Sequence, residues 1–407
     1  MERSLKCVQK ASRAMTAERL TDVRSMIPSI SDTTYLDSAG AGLPPLSVTS
    51  AMRSFIDDWS KHGEQWDQWL EEVVELRRLF GQLIGGAGSE VGVVPSVSVG
   101  LAGVASSLDL RKRKKVVTSS LNFPTNVVLW QRMREAGLLK DVKVMKGTAG
   151  VVPLNEWEKA IDEETAVVAV DYVSWFSGYR EKIRDIAGIA HRHGALILVD
   201  GFHGIGVFPI DAKRDGIDAL FGGFYKWLCG PHGAACVWVR EDVLPGLNPS
   251  YTGWLGIRDN VIERLRQKRD VFDVPFPLDR APPAQDAARF EWGTWASVVV
   301  RGAIEAVKFA QDYDPASRYQ VITKRREELT SGLEKLGKEL LTPAGDNQGS
   351  GIVTFAQKNH KELVKKLASE KVEVSGRFDH VRVSPHFYNT SEEVQTLLDA
   401  LSRASVQ

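Results

Sequence analysis

Over the first two thirds of the chain, short β-rich apolar runs alternate with amphipathic stretches. The runs fall at 91–94, 116–119, 142–145, 166–170, 195–199, 219–221 and 234–239, and helical periodicity lies between them at 126–135, 154–161 and 180–193. Strands separated by helices predict an α/β architecture, a mostly parallel sheet covered on both faces. Sites in such sheets gather at the carboxyl ends of the strands. Beyond Tyr251 the pattern changes, and proline with charge dominates 271–285, which reads as an ordered loop leading to Glu291-Trp292-Gly293-Thr294. Helices are expected at 297–313 and 316–336. The last stretch alternates strands (351–354, 372–375, 381–384) with helices (361–370, 391–402), the pattern of a small α+β domain.

Composition narrows the function classes. At 407 residues the chain exceeds one ordinary core, so two or three lobes are expected. Lys plus Arg and Asp plus Glu are 52 each, so no global field favours nucleic acid or an acidic membrane. The one strong basic run, Arg111-Lys112-Arg113-Lys114-Lys115, reads as a solvated turn before a strand. Cys7, Cys229 and Cys236 make neither a metal spacing nor a paired framework, which fits a reducing, cytoplasmic compartment. Met1 to Arg24 lacks a signal-peptide core, and no run approaches the length of a membrane span, so a soluble, unexported protein is expected.

Candidate chemistry centres on Lys226, in Gly222-Gly223-Phe224-Tyr225-Lys226-Trp227, and on Asp200, which ends an apolar run upstream. A lysine that forms an imine and an acid that keeps a pyridine nitrogen protonated are what pyridoxal 5′-phosphate (PLP) requires. A core lysine snorkelling to solvent is the plain alternative. In Asp200-Gly201-Phe202-His203 the carboxylate and imidazole can grip one edge of such a ring, or cap a turn and fill a core. Ser96-Val97-Ser98 opens a helix after a strand, where free N–H groups hold phosphate or serve an ordinary serine cap. Phe123, in Asn122-Phe123-Pro124-Thr125-Asn126, follows a strand and can stack on a flat ring or pack in the core. Gly85-Gly86-Ala87-Gly88 lacks the spacing and the preceding strand of a dinucleotide loop.

Phosphate turn, aromatic, Asp-x-x-His and Tyr-Lys follow in one order, and here the chain resembles the class V aminotransferase family of fold-type I PLP enzymes. That family includes cysteine desulfurases, kynureninases and isopenicillin N epimerase-like proteins. The resemblance runs from Thr34-Tyr35-Leu36-Asp37-Ser38-Ala39-Gly40 to the end. It implies a large PLP-binding domain over 51–296 with a seven-stranded sheet, a small α+β domain over 297–407, and an arm over 1–50 that contributes to the site. It also implies roles: Lys226, Asp200 and His203 as catalytic residues, the last near the phenolic oxygen, and Phe123 as the stacking ring. Ser96, Val97 and Tyr225 fall to the phosphate, and Gly223 stands where a phosphate-binding serine or threonine is frequent.

Phe290-Glu291-Trp292-Gly293-Thr294 is similar to the segment whose threonine reaches the neighbouring subunit's phosphate, which implies a homodimer with shared active sites. Val381-Arg382-Val383-Ser384, followed by Tyr388-Asn389-Thr390, makes Arg382 the candidate for the carboxylate of a small amino-acid substrate, with Arg377 second. Two departures narrow the reaction. No cysteine follows Cys236, so the persulfide-carrying loop of a desulfurase has no thiol; Cys229 is expected in the wall of the site and open to reaction. The kynureninase motif for an aromatic ketone is not evident. The resemblance therefore implies chemistry through an external aldimine and a Cα carbanion, first as a lyase (β-elimination or C–S cleavage), then as an aminotransferase or epimerase. A non-catalytic scaffold is the reading from a different class.

Overall fold

After a two-residue strand β1 (Thr34–Tyr35), the seven apolar runs become β2 (Val91–Val94), β3 (Lys115–Ser119), β4 (Asp141–Met145), β5 (Thr165–Asp171), β6 (Leu196–Asp200), β7 (Ala219–Gly223) and β8 (Ala235–Val239). They form one sheet in the order β2-β8-β7-β6-β5-β3-β4. The strands from β4 across to β7 are mutually parallel, and β8 runs antiparallel to both β7 and β2. This computed structural model describes residues 15–270, 279–343 and 349–405; Cys7 and the 271–278 part of the expected ordered loop lie outside the described residues.

Burial on both faces explains why the runs were continuous rather than alternating. Every residue of β2, β7 and β8 is buried. Two apolar cores lie against the sheet, one containing Val168, Val170, Ile197 and Val199, the other Val167, Ala169 and Leu198, alternate residues of the same strands. Each fully buried valine, leucine or isoleucine among them contributes about 1.5–3 kcal/mol. The helix Ile183–Arg192 seals one face through Ile183, Ile186, Ala187, Ile189 and Ala190. It starts later than the expected 180 because Arg180 bridges Val173 and the Glu181 N–H bonds the Tyr172 carbonyl, a return made possible by Gly178 at φ +74°.

Buried apolar residues from Val300 to Ile322, with Phe387 and Tyr388, pack into the first core, whereas Leu329, Leu333, Val353, Phe355 and the other buried apolar residues from Leu363 to Leu401 build a third core together with Leu36. The expected strand 372–375 divides between two sheets. β10 (Val372–Glu373) pairs in parallel with β1, while β11 (Ser375–Arg377) joins β12 (His380–Val383), which pairs with β9 (Val353–Ala356). A bridge from Asp37 to Ser384 extends the first pairing. Among the described residues, no helix is long and apolar enough to cross a membrane.

One buried ion pair pins the strand that precedes the phosphate turn. Arg77 reaches both oxygens of Glu291, with Nε to Oε1 at 2.9 Å, and the same Oε1 accepts from the Val93 N–H at 2.6 Å. Both side chains are essentially inaccessible, at 1% and 0%. Glu291→Ala would strand a guanidinium and a strand N–H without an acceptor, so a loss of about 3–5 kcal/mol is expected in urea unfolding. A loss below about 1 kcal/mol would show that the pair does not hold this corner.

Candidate active site

β5 and β6 run side by side in a register that sets Asp171 against Asp200 at their carboxyl ends. β7 ends next to them, and three residues later the chain reaches Lys226. A cavity opens there, and its lining includes Ser96, Val97, Phe123, Asp200, His203, Tyr225 and Lys226. Seven of the ten residues singled out from the sequence thus meet in one place.

Lys226 is buried, its Nζ 3.0 Å from His203 Nε2 and 4.5 Å from the centre of the Phe202 ring. Burial lowers its pKa to about 8, against the opposing pull of Asp200 and Asp171. Burial likewise raises Asp200 to about 6, although the Phe202 N–H at 2.9 Å and Lys226 favour the ionised form. His203 is held well below the usual imidazole range by burial and by the nearby cations Lys226, Arg382 and Arg377, so it is neutral.

Asp171, also in the cavity wall, is the residue that sequence reasoning missed. Its carboxyl accepts from the Phe123 N–H and from Asn126 Nδ2 (3.0 Å), while its own N–H donates to Asn122 Oδ1 at 3.0 Å. Burial, with Asp200 beside it, drives its pKa well up. The signal was available: its apolar run ends in an acid just as the run before Asp200 does. The clamp explains Phe123. Held by Asp171 at its backbone, the ring stays 40% exposed at the cavity and meets Trp175 edge-on at 5.6 Å, so it is not core packing.

Ser96 caps the helix Val97–Ser106, its Oγ accepting from the Val99 N–H at 3.2 Å. The first-turn N–H groups of Val97 and Ser98, which have no partner within the helix, border the same cavity. Tyr225 stacks on His232 at 3.9 Å, and burial, with Asp200, raises its pKa. At Gly223 a Cβ would lie 2.4 Å from the Phe202 ring, which is why no serine or threonine stands there.

The remaining three predicted residues lie outside this lining. Arg382 is no surface arginine: it is 2% exposed and bonds the Trp175 carbonyl (2.9 Å), Asp37 Oδ1 (3.3 Å) and Ser375 Oγ (3.3 Å). Arg377 is half-buried, its guanidinium 6.0 Å from the centre of the Trp175 ring. Thr294 is exposed in an adjoining cavity with Trp292 and Trp295, which shares Pro95, Gly233 and Ala234 with the first.

Cys229 corrects an expectation. It does not line the cavity but is fully buried at φ +55°, its Sγ 3.7 Å from His386 Nε2. Burial pushes the thiol up to about 12, so it is an inert core sulfur rather than a reactive wall residue.

Residues 34–397 match the sequence profile described as Aminotransferase class-V. The chain is 30% identical to an uncharacterized aminotransferase, YcbU, of Bacillus subtilis, over 94% of this chain and 97% of that one. It is 29% identical to a probable cysteine desulfurase of Methanothermobacter thermautotrophicus, with 94% and 97% covered. A kynureninase of Deinococcus radiodurans is 26% identical, with 83% and 80% covered. Among solved structures, an apo cysteine desulfurase from Thermococcus onnurineus NA1 superposes with a TM-score of 0.81 at 23% identity, covering 94% of this chain and 97% of that one. The cystine C-S lyase C-DES, complexed with cysteine persulfide, gives 0.82 at 21%, with 92% and 99% covered. At such identities the structural likeness speaks for the fold.

Proposed function

This chain belongs to the aminotransferase class-V family, and on that premise we propose that it is a lyase acting on a β-substituted amino acid. It is a PLP-dependent enzyme with the fold-type I architecture. The convergence of Lys226, Asp200, His203 and Phe123 on one cavity carries the reading. This donor set fits PLP: a lysine held near neutrality for imine formation, a buried carboxyl for a ring nitrogen, a half-exposed aromatic for a ring face, and a helix start for a phosphate. When bound, PLP supplies an electron sink for charge developing at the substrate Cα.

The chain's own residues supply the rest. Lys226 takes the Cα proton and can return it to the leaving group, a task suited by an amine that titrates near about 8. Arg382 offers its guanidinium to the substrate carboxylate, sharing it with Asp37. Two facts favour elimination over sulfur transfer to an enzyme thiol: no cysteine follows Cys236, and Cys229 is sealed. Thr294, exposed beside the cavity, supports a homodimer in which it completes the partner's phosphate site.

Incubation with a panel of amino acids tests the reaction. A keto acid and ammonia formed without any amino acceptor is the expected result. Keto acid made only with stoichiometric acceptor would sink the lyase in favour of an aminotransferase, and loss of optical activity alone would indicate an epimerase. Protein that takes up no PLP and yields no borohydride-trapped lysine would point to a scaffold.

A further inference from the structure

We propose that Trp227 is a positioning residue whose indole N–H locks His203 into its Nε2–H form, so that this N–H, aimed at Lys226, favours the lysine's free amine over its ammonium. The inference rests on the reading of Lys226 as the reactive amine. Trp227 Nε1 donates to His203 Nδ1 at 3.3 Å, and an indole nitrogen can only donate. Nδ1 must therefore present its lone pair. A neutral imidazole has one proton, which then sits on Nε2, 3.0 Å from Lys226 Nζ. An ammonium there would set donor against donor, whereas an amine accepts.

The other groups facing Lys226 divide. Asp200 and Asp171 favour the ammonium, as do the Phe202, Phe123 and Tyr225 rings at 4.5, 5.6 and 5.9 Å, while Arg382 and Arg377 oppose it. Burial adds to the arginines, and the directed His203 N–H adds to burial. Trp227 is in turn unable to turn away. It is 1% exposed, its carbonyl takes a bond from His386 Nε2 at 3.0 Å, and its ring presses on Gly351 so closely that a Cβ there would lie 2.4 Å from it. A tryptophan that merely filled the core would not select a tautomer.

The test uses the full chain with ¹⁵N-labelled histidine and tryptophan, with PLP bound and after its removal, the His203 signals being assigned by their loss in His203→Gln. Expected are a pyridine-type shift at Nδ1, a pyrrole-type shift at Nε2, and scalar coupling across to Trp227 Nε1, all constant between about pH 6 and 8. Trp227→Phe should mix the tautomers and, in cofactor-free protein, raise the Lys226 midpoint by about one unit, slowing its acylation at neutral pH about tenfold. His203→Gln should keep the midpoint, because its amide carbonyl can face the indole while its N–H faces Lys226. An Nδ1–H tautomer in the wild type overturns the proposal, and this result stands whether or not Trp227→Phe folds. So does an unmoved midpoint in folded Trp227→Phe. Either failure leaves cofactor capture by Lys226 intact, whereas absence of a trapped lysine would remove that reading without touching the tautomer.

Discussion

Lys226→Ala protein takes up no covalently held PLP: borohydride reduction leaves the chain unlabelled, the visible imine band is missing, and turnover falls on the order of 10³-fold or more. Lys226 is the one lysine lining the cavity among the described residues, so no neighbouring amine can replace it. Its titration sets a pH dependence with a definite sign. Deprotonation is needed for attack, and burial moves the midpoint down to about 8 from the ordinary 10.5. At pH 7 roughly one molecule in ten then carries the free amine, against about one in three thousand for an exposed lysine. Capture of PLP by cofactor-free protein should therefore quicken about tenfold per pH unit up to about pH 8 and level off above it. A borohydride-stable adduct in the variant, or a capture rate still climbing at pH 10, would remove Lys226 from its role.

Asp200→Asn separates catalysis from stability by moving them in opposite directions. Turnover is expected to drop by on the order of 10²–10⁴-fold, because an amide cannot hold a pyridine nitrogen in its protonated form. Folding should move the other way. Asp200 titrates at about 6 in the folded chain against 3.8 ordinarily, so folding disfavours its ionised form, and stability is lost as pH rises from the lower value through the upper. At pH 7 that amounts to about 3 kcal/mol as an order of magnitude, a burden the amide does not carry. Cofactor-free Asp200→Asn should therefore melt at or above the wild-type temperature at pH 7. An inactive variant that also melts lower would reduce Asp200 to a structural acceptor for the Phe202 N–H.

The sheet was legible in the chain because its strands are buried on both faces and so appear as unbroken apolar runs between amphipathic helices. Legibility failed where backbone pairing rather than side-chain pattern decided the outcome. Arg180 and Glu181 continue the periodicity of the helix at 183 but are taken by a return pairing, and 372–375 reads as one strand that two sheets divide. The site was legible where chemistry-bearing residues stand next to strand ends, as Asp200, Phe123 and Lys226 do. Asp171 carries the same local mark as Asp200, an acid closing an apolar run, but its pairing with Asp200 is set by strand order, which no local window contains. Cys229 was misplaced for a similar reason: three residues past Lys226 the chain has already turned inward, toward His386.

β1 belongs to the beginning of the chain, yet its partner β10 and the Ser384 that bridges Asp37 come from its last tenth. During synthesis the large sheet can be assembled while this strand waits unpaired, and the acid beside Arg382 has no guanidinium until the final stretch emerges. Residues 34–37 and 372–384 thus act as a clasp that shuts only once both segments have been made. A product cut short before residue 372 carries Lys226 and Asp200 but leaves the clasp open, so Asp37 and Arg382 meet only when both segments are present.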